Sequence, residues 1–200
     1  MTERRRGPWI IHGEKIAYDT PWMTVTDYQV TCPDGSPSSY GVMSPKNLAI
    51  GIVPLFDNGD VMLVGQYRFA LDAYSWELPE GGGPKGDIPL ASAKRELKEE
   101  TGLSADHWQE ILGLDLSNSI TDECAHAFLA WGLTQGEAEP EGTEDITIQR
   151  VPFQTALKMA MMGDIRDAFT LVMLAKVDYM ARRGDLPEAL CQVILAQPQA

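Results

Sequence analysis

The chain has 200 residues, of which 44% are hydrophobic, so it is long enough for one main domain that buries roughly 70% of its unfolded surface. Its formal net charge of −13 argues against nucleic acid or an anionic membrane as the principal partner, because both need a basic footprint. The acidity is compatible with a small anionic substrate whose charge is neutralised by Mg²⁺ held on carboxylates.

Cysteine usage and the N-terminus indicate the compartment. Cys32, Cys124 and Cys191 are odd in number and lack CxxC spacing, so a reducing, cytoplasmic setting is predicted. The arginines at 4–6 are followed by Gly7 and by no apolar stretch of signal-peptide length, which predicts a frayed terminus rather than a targeting signal. No segment reaches the ~18 apolar residues of a membrane span.

Short β-prone runs open the chain. Residues 8–45 alternate such runs with turn chemistry at Pro33-Asp34-Gly35, which predicts a small antiparallel N-terminal β subdomain over 1–45 and a main domain over 46–200. The apolar runs 48–56 and 61–69 are joined by Asp57-Asn58-Gly59-Asp60, which predicts a β-hairpin.

A glycine-rich stretch, 81–86, precedes the next predicted helix and is interpreted as a loop. The helix is predicted over Pro89–Thr101, with proline in its first turn and Gly102 just after its end. Strands are predicted near 111–116 and 126–133, followed by an acidic loop at 135–145. Two further helices are predicted, at 153–162 and 166–182.

Three glutamates of the Pro89–Thr101 helix share one face. Glu96, Glu99 and Glu100 stand at i, i+3 and i+4, so their Cβ atoms are expected roughly 5–6 Å apart. Like charges at this spacing destabilise an isolated helix, and a bound cation would reverse the sign of that effect. The alternative is a solvated charged face of an acidic interaction protein.

The residues around this helix resemble a known motif. Gly81, five residues, Asp87, seven residues and then Arg95 through Leu103 resemble the Nudix box at every fixed position except Asp87, where the family usually has glutamate. Further likeness extends to the ADP-ribose pyrophosphatase-like branch of nucleoside-diphosphate-sugar hydrolases. It is carried by Gln66-Tyr67-Arg68, Trp76-Glu77-Leu78-Pro79, Thr121-Asp122-Glu123 and Gly163-Asp164-Ile165-Arg166-Asp167-Ala168.

The resemblance implies an α/β fold, the Nudix α/β/α sandwich with a mixed sheet. It also implies a homodimer whose partners exchange the N-terminal β subdomain. The implied cofactor is Mg²⁺, with Mn²⁺ as a substitute, in two or three ions per site. Arg95 is expected to orient a neighbouring glutamate through its planar guanidinium group. The implied metal ligands are Glu96, Glu100, Glu99, Glu144 and the backbone carbonyl of Glu80.

The general base is implied to come from the acidic loop. Glu144 aligns with the family's loop carboxylate, and Glu141 is the nearest substitute for the position where relatives carry the base, so both stay open. Glu99 is a further catalytic candidate. Solvated acidic residues are the alternative for this loop, which also contains Glu137 and Glu139.

Four residues outside the box are predicted to bind substrate. Arg68 resembles the arginine that holds the pyrophosphate, with a surface salt bridge as its alternative. Glu77 resembles a position near the metal or the terminal ribose, or it makes a structural hydrogen bond. Trp22 and Tyr18, like Trp9, are candidates to stack on a base across a dimer interface, with ordinary packing as the alternative.

The implied reaction is hydrolysis of a nucleoside diphosphate sugar to a nucleoside monophosphate and a sugar phosphate. Relatives specific for ADP-ribose often carry proline in the loop that here reads Ser117-Asn118-Ser119-Ile120, so GDP-mannose also remains open. The competing hypothesis is a Nudix-fold module that senses a nucleotide without catalysis. Such modules usually lose box glutamates or the arginine, all of which are present here.

Overall fold

The computed structural model describes residues 4–138 and 145–195. Within these residues the chain forms four α-helices, α1 (Pro89–Thr101), α2 (Phe153–Met162), α3 (Ala168–Arg183) and α4 (Glu188–Leu195). Eleven strands form in the described residues, and they are β1 (Arg4–Arg6), β2 (Trp9–Asp19), β3 (Met23–Thr31), β4 (Pro37–Pro45), β5 (Asn47–Pro54), β6 (Asp60–Arg68), β7 (Ala73–Glu77), β8 (Glu80–Pro84), β9 (Leu103–Leu116), β10 (Glu123–Gln135) and β11 (Thr147–Pro152).

The chain divides into two compact units. The first takes its residues from Met1–Leu48 and Leu114–Cys124, and the second takes them from Ala49–Gly113 and Ala125–Ala200. The sequence places a boundary after residue 45 and does not foresee that 114–124 joins the first unit. That boundary stays a prediction.

The first unit is built on the sheet β1-β2-β3-β4, which is the antiparallel N-terminal region expected from the sequence. The expected turn at 33–35 forms, with Gly35 at φ +87° and its N–H donating to the carbonyl of Cys32. The prediction of a frayed terminus is wrong for residues 4–6. They pair with β2, and the Arg6 guanidinium carbon lies 4.6 Å from the centre of the Tyr28 ring.

The second unit contains a mixed sheet, ordered β8-β5-β10-β9, in which β5 and β10 run parallel. A three-stranded sheet, β11-β6-β7, is antiparallel. The expected α/β class and mixed sheet are confirmed.

The hairpin predicted between residues 48 and 69 is wrong in its pairing. The turn at 57–60 does form, and the Phe56 N–H donates to the carbonyl of Asp60 at 2.9 Å. Beyond it only the bridge between Leu55 and Val61 joins the two runs, and β5 and β6 continue into different sheets. Both strands are largely buried, so each finds its own neighbours in the core.

Close contacts at glycines place the helices on the mixed sheet. A Cβ on Gly51 would lie 2.7 Å from the Met173 side chain of α3, whereas one on Gly83 would meet Ser92 of α1 and, at 3.3 Å, the Ile50 side chain. Adjacent residues of a strand point to opposite faces, so the Ile50 and Gly51 contacts put α1 and α3 on opposite sides of β5. This is the sandwich that the resemblance implies.

Helix boundaries follow the sequence signals closely. Helix α1 has the predicted bounds and ends at Gly102, whose φ of +71° is a left-handed conformation that favours glycine. Helix α2 also has the predicted bounds, and α3 begins two residues later than predicted because Asp167 is its N-cap. Helix α4 was not predicted, and the stretch 81–86 is wrong as a loop, since it forms most of β8. Among the described residues, no helix has both the length and the apolar character needed to cross a membrane.

Candidate functional site

Two of the three aligned glutamates of α1 are buried against β8. Glu96 is 8% exposed and Glu100 is 4% exposed. The Gly82 N–H donates to Oε1 of Glu96 at 3.0 Å, and the Glu80 N–H donates to Oε2 of Glu100 at 3.0 Å. Each carboxylate therefore receives a backbone hydrogen bond from the neighbouring strand, which fixes its position.

Gly81 lies between these two backbone donors. A Cβ at this position would be 2.1 Å from Cδ of Glu96, a distance that no side chain tolerates. The absence of a side chain lets β8 approach the helix closely enough for its N–H groups to bind the carboxylates. The glycine that opens the motif is thus required by the position of Glu96.

Arg95 holds the outer edge of the cluster. Its Nη2 donates to the carbonyl of Gly82 at 2.6 Å and to Oε1 of Glu96 at 2.7 Å, while its Nη1 donates to Oε2 of Glu99 at 2.5 Å. Arg95 thus contacts two neighbouring glutamates, as expected of a residue that orients them, and the orienting role itself stays a prediction. Burial nevertheless raises the pKa of Glu96, because the loss of hydration outweighs the stabilising charge of Arg95.

Glu80 contributes a further carboxyl group, which lies inside the protein although the residue as a whole is only partly buried. Burial and the nearby negative charge of Asp167 raise its pKa well above the usual value, and the negative charge of Glu77 acts in the same direction. Thr170 of α3 donates from Oγ1 to Oε1 of Glu80 at 2.7 Å. Sequence reasoning missed Thr170, although the N-cap aspartate three residues before it was a readable signal of a helix start.

Arg68 and Glu77 form a two-pronged ion pair at the end of β6. Nε of Arg68 donates to Oε1 of Glu77 at 3.0 Å, and Nη2 donates to Oε2. The pair raises the pKa of Arg68, and the charges of Glu80 and Glu100 add to that effect. Arg68 and Glu77 therefore lie within electrostatic reach of the α1 cluster.

The side chains of this cluster offer oxygen donors, the kind that Mg²⁺ and similar cations take. Within residues 4–138 and 145–195, however, no three His, Cys, Asp or Glu side chains already converge as a metal-binding group. Glu96 and Glu99 turn instead toward Arg95. The donor chemistry and the close approach at Gly81 fit a cation that keeps several of its waters and needs few protein ligands.

The residues that lead into the acidic loop lie beside the end of α1. The Gly136 N–H donates to the carbonyl of Gly102 at 2.8 Å, and Nε2 of Gln135 donates to the carbonyl of Thr101 at 3.0 Å. Glu137 is exposed. The candidate bases Glu141 and Glu144, together with Glu139, lie outside the described residues.

The candidate stacking residues belong to the first unit. Trp22 is 76% exposed and Tyr18 is 53% exposed, so neither is an ordinary packing residue. Trp9 instead packs edge to face on Tyr40, with ring centroids 5.3 Å apart. Trp9 and Tyr40 also line a cavity of about 260 Å³ within this unit, together with residues 118–122. The stacking roles stay predictions.

Known proteins are similar to this chain over much of its length. An ADP-ribose pyrophosphatase of Mycobacterium tuberculosis is 36% identical over 126 residues, which are 62% of this chain and 61% of that protein. An ADP-ribose pyrophosphatase of Bacillus subtilis is 32% identical over 143 residues, covering 70% of this chain and 77% of that protein. The chain thus spans about three fifths of the length of the first relative.

The fold also has a counterpart among solved structures. A crystal structure described as an ADP compounds hydrolase superposes with a TM-score of 0.77 at 21% identity, over 88% of this chain and 96% of that one. The NUDIX domain model matches residues 45–171, which include β8, α1 and Thr170. The chain therefore belongs to the NUDIX domain family, that of the Nudix hydrolases, as the residues from Gly81 to Leu103 predicted.

Proposed function

We propose that this chain hydrolyses the pyrophosphate bond of a nucleoside diphosphate sugar in a reaction that depends on Mg²⁺. Water adds to one phosphorus atom, the bond from that atom to the bridging oxygen breaks, and a nucleoside monophosphate and a sugar phosphate leave. The observation that carries the proposal is the burial of Glu96 and Glu100 against the N–H groups of β8.

Burying the carboxyl groups of Glu96 and Glu80 has an energetic cost that a purely structural role does not explain. Burial raises the pKa of both Glu96 and Glu80, which means that their charged forms are disfavoured as the site stands. A solvated charged helix face would not hold glutamates at this depth. A divalent cation would favour the ionised forms and offset the cost.

We assign metal binding to Glu96, Glu99, Glu100 and the backbone carbonyl of Glu80, with Glu144 as the loop ligand. Two or three Mg²⁺ ions per site, replaceable by Mn²⁺, belong to the same proposal. When bound, such ions neutralise phosphate charge and make water a better nucleophile at neutral pH. Arg95 donates hydrogen bonds to Glu96 and Glu99, and we assign it the role of holding these two carboxylates in place.

Arg68 is assigned to the substrate pyrophosphate. Its pair with Glu77 uses Nε and Nη2, so Nη1 is the nitrogen that we assign to a phosphate oxygen. Glu77 keeps the guanidinium plane in one orientation, which preorganises a group that would otherwise lose side-chain entropy on binding. The edge of Arg68 remains accessible, since 37% of its side-chain surface is exposed.

Proton removal from the attacking water is assigned to the acidic loop, to Glu141 or Glu144. The loop begins at Gly136, which lies beside Gly102. Gly102 is the residue that directly follows the helix with the three glutamates. Glu141→Gln and Glu144→Gln, compared over pH, distinguish the two. The base is the residue whose loss removes the acidic limb of the kcat profile, while the other variant keeps that limb.

ADP-ribose is the first substrate to test, because relatives with this name share about a third of their residues with the chain over the matched region. GDP-mannose is the second, because the loop at 117–120 lacks the proline that is frequent in ADP-ribose-specific relatives. We also propose a homodimer that exchanges residues 1–45, with Tyr18 and Trp22 stacking on the base. Light scattering of the purified protein tests the dimer, and a monomeric mass would refute it.

The deciding experiment incubates the protein with a panel of nucleotide sugars in Mg²⁺ and measures release of the nucleoside monophosphate. Product from ADP-ribose or GDP-mannose that disappears on chelation with EDTA supports the proposal. The matched control is Glu188→Gln, which removes an exposed carboxylate at the start of α4. No product from any member of the panel would refute catalysis and favour the nucleotide-sensing module.

A second measurement tests whether Glu100 binds metal. Isothermal titration with Mn²⁺ compares the wild type with Glu100→Gln, a change that keeps an acceptor for the Glu80 N–H. Weaker binding by the variant supports the metal site. Equal binding by both would refute metal binding by Glu100.

A further inference from the structure

Thr170 lies on the first turn of α3 and is completely buried. It lies 90 residues from Glu80 in the sequence, yet its hydroxyl oxygen is 2.7 Å from Oε1 of that residue. The N–H of Leu78 donates to the same hydroxyl oxygen at 2.8 Å. One side chain from α3 thus binds two points of the short segment that leads into β8.

The direction of these hydrogen bonds follows from the chemistry of the groups. A backbone N–H can only donate, so the Thr170 hydroxyl is the acceptor for Leu78. The hydroxyl proton is then available for Glu80, whose carboxyl oxygen accepts it. The buried hydroxyl thus both accepts and donates a hydrogen bond, as buried polar groups usually do.

Helix α3 and helix α1 are connected through this segment. Oδ2 of Asp167 caps α3 by accepting the Thr170 N–H at 2.6 Å, which fixes the threonine at the helix start. At the other end of the segment, the Glu80 N–H donates to Oε2 of Glu100. A continuous series of hydrogen bonds therefore runs from Asp167 through Thr170 and Glu80 to Glu100.

We propose that Thr170 is a positioning residue for the acidic site. It holds residues 78–80 so that the Glu80 carbonyl and the Glu100 carboxylate stay in the arrangement needed to bind divalent cations. The inference rests on the proposed function, in which those two groups bind metal. Thr170 itself does not touch the reacting atoms; it acts through Glu80 and Glu100.

The test compares a substitution that keeps the shape of threonine with one that keeps its hydroxyl but loses its methyl group. Thr170→Val removes the hydroxyl and leaves the Leu78 N–H and the Glu80 carboxyl without it, whereas Thr170→Ser keeps the hydroxyl. We expect Thr170→Val to lower kcat by about 10–100-fold, the loss typical of a residue that orients metal ligands, with a smaller change in KM. Thr170→Ser is expected to restore most of that loss.

Two further readouts need no turnover. Titration of each variant with Mn²⁺ should show weaker binding by Thr170→Val, again about 10–100-fold, and near wild-type binding by Thr170→Ser. Amide hydrogen exchange at Leu78 should be faster in Thr170→Val than in Thr170→Ser. Thermal unfolding shows whether each variant is folded at the assay temperature.

The outcomes are distinct. If Thr170→Val is folded and less stable but keeps wild-type kcat and Mn²⁺ affinity, its role is only structural and the inference is overturned. If Thr170→Val does not fold, Thr170→Ala and Thr170→Cys repeat the comparison against Thr170→Ser. If the wild type hydrolyses no nucleotide sugar, the proposed function fails, while the Mn²⁺ titration still decides whether Thr170 positions a metal site.

Discussion

Carboxylates in the two units have very different surroundings. In the first unit, Asp19 pairs with Lys46 at 2.7 Å and Glu14 pairs with Arg4 at 2.6 Å, and all four side chains are well exposed. In the second unit, Glu96 and Glu100 are almost inaccessible and are held mainly by backbone N–H groups. All four acidic residues carry carboxylates, but those of the first unit are exposed to water and those of the second are almost fully shielded from it.

This difference distinguishes ordinary surface ion pairs from carboxylates that the fold holds in fixed positions. Exposed ion pairs contribute little, because water screens the attraction and long side chains lose entropy when they are held together. Buried carboxylates that are bonded to a rigid strand keep one geometry and respond strongly to a nearby cation. Acidic residues on this chain are therefore not equivalent. The effect of substituting one of them should depend on its burial rather than on its charge alone.

The largest effect is expected for Glu100→Gln. The change removes one negative charge from the proposed metal site and keeps an oxygen that accepts the Glu80 N–H. Loss of one preorganised electrostatic group typically costs roughly 10²–10³ in kcat, and we expect a loss of that size with ADP-ribose and Mg²⁺. Activity close to that of the Glu188→Gln control would contradict the distinction between the two kinds of carboxylate.

A smaller but still large effect is expected for Gly81→Ala. The added Cβ cannot coexist with the Glu96 carboxylate at 2.1 Å, so the carboxylate must leave its place. Overpacking of this kind costs about 1–3 kcal/mol of the free energy of unfolding. Misplacing a metal-site carboxylate should lower kcat by about 10–100-fold.

The control for this change is Gly113→Ala. Gly113 also lies in a strand, has no positive φ and would place its Cβ in open space. Denaturant unfolding and steady-state kinetics of both variants test the prediction. Equal behaviour of the two variants would show that the close approach at Gly81 is unimportant.

A moderate effect is expected for Arg68→Lys. Lysine cannot reproduce the two-pronged pair with Glu77 while also reaching a phosphate. Because Arg68 is more than a third exposed, we expect the substitution to weaken the binding free energy of ADP-ribose by only about 1 kcal/mol. This corresponds to a rise in KM of roughly fivefold. Arg150→Lys, which alters a pair with Asp60 away from the cluster, should leave KM unchanged. The assignment of Arg68 to the pyrophosphate fails if both variants have the same KM.

The smallest effect is expected for Asp19→Asn in the first unit. Hydrogen bonds from Lys46 and Thr24 lower the pKa of Asp19. A lowered folded pKa contributes stability that is present above the unfolded pKa and is lost as the pH falls through the folded pKa. The variant should therefore lose a little thermal stability at neutral pH, lose none at acidic pH, and keep wild-type kcat. Thermal unfolding across that pH range measures the difference, and an equal loss at every pH would exclude the Lys46 pair as its cause.

Local signals were sufficient wherever neighbours in sequence decide the structure. The proline near the start and the glycine after the end predicted the bounds of α1, because capping depends on a few adjacent residues. The spacing of the three glutamates predicted their common face for the same reason. The motif that begins at Gly81 identified the family, since its residue types and spacing are specific.

Contacts between distant residues were not readable in the same way. The turn at 57–60 predicted a paired hairpin, but β5 and β6 enter different sheets because each finds better neighbours elsewhere in the core. The glycine run was expected to be a loop, yet most of it forms a strand because it pairs with β5 in the mixed sheet. Glu96 of α1 in addition accepts a hydrogen bond from the Gly82 N–H.

The sequence by itself determined the family, the acidic helix and the order of most elements, because these depend on local propensity and on a spaced motif. Only the tertiary structure decided which carboxylates are buried, that Arg68 pairs with Glu77, and that Thr170 contacts Glu80 from 90 residues away. Burial and long-range hydrogen bonds arise from how strands and helices pack, and that packing depends on the whole chain at once.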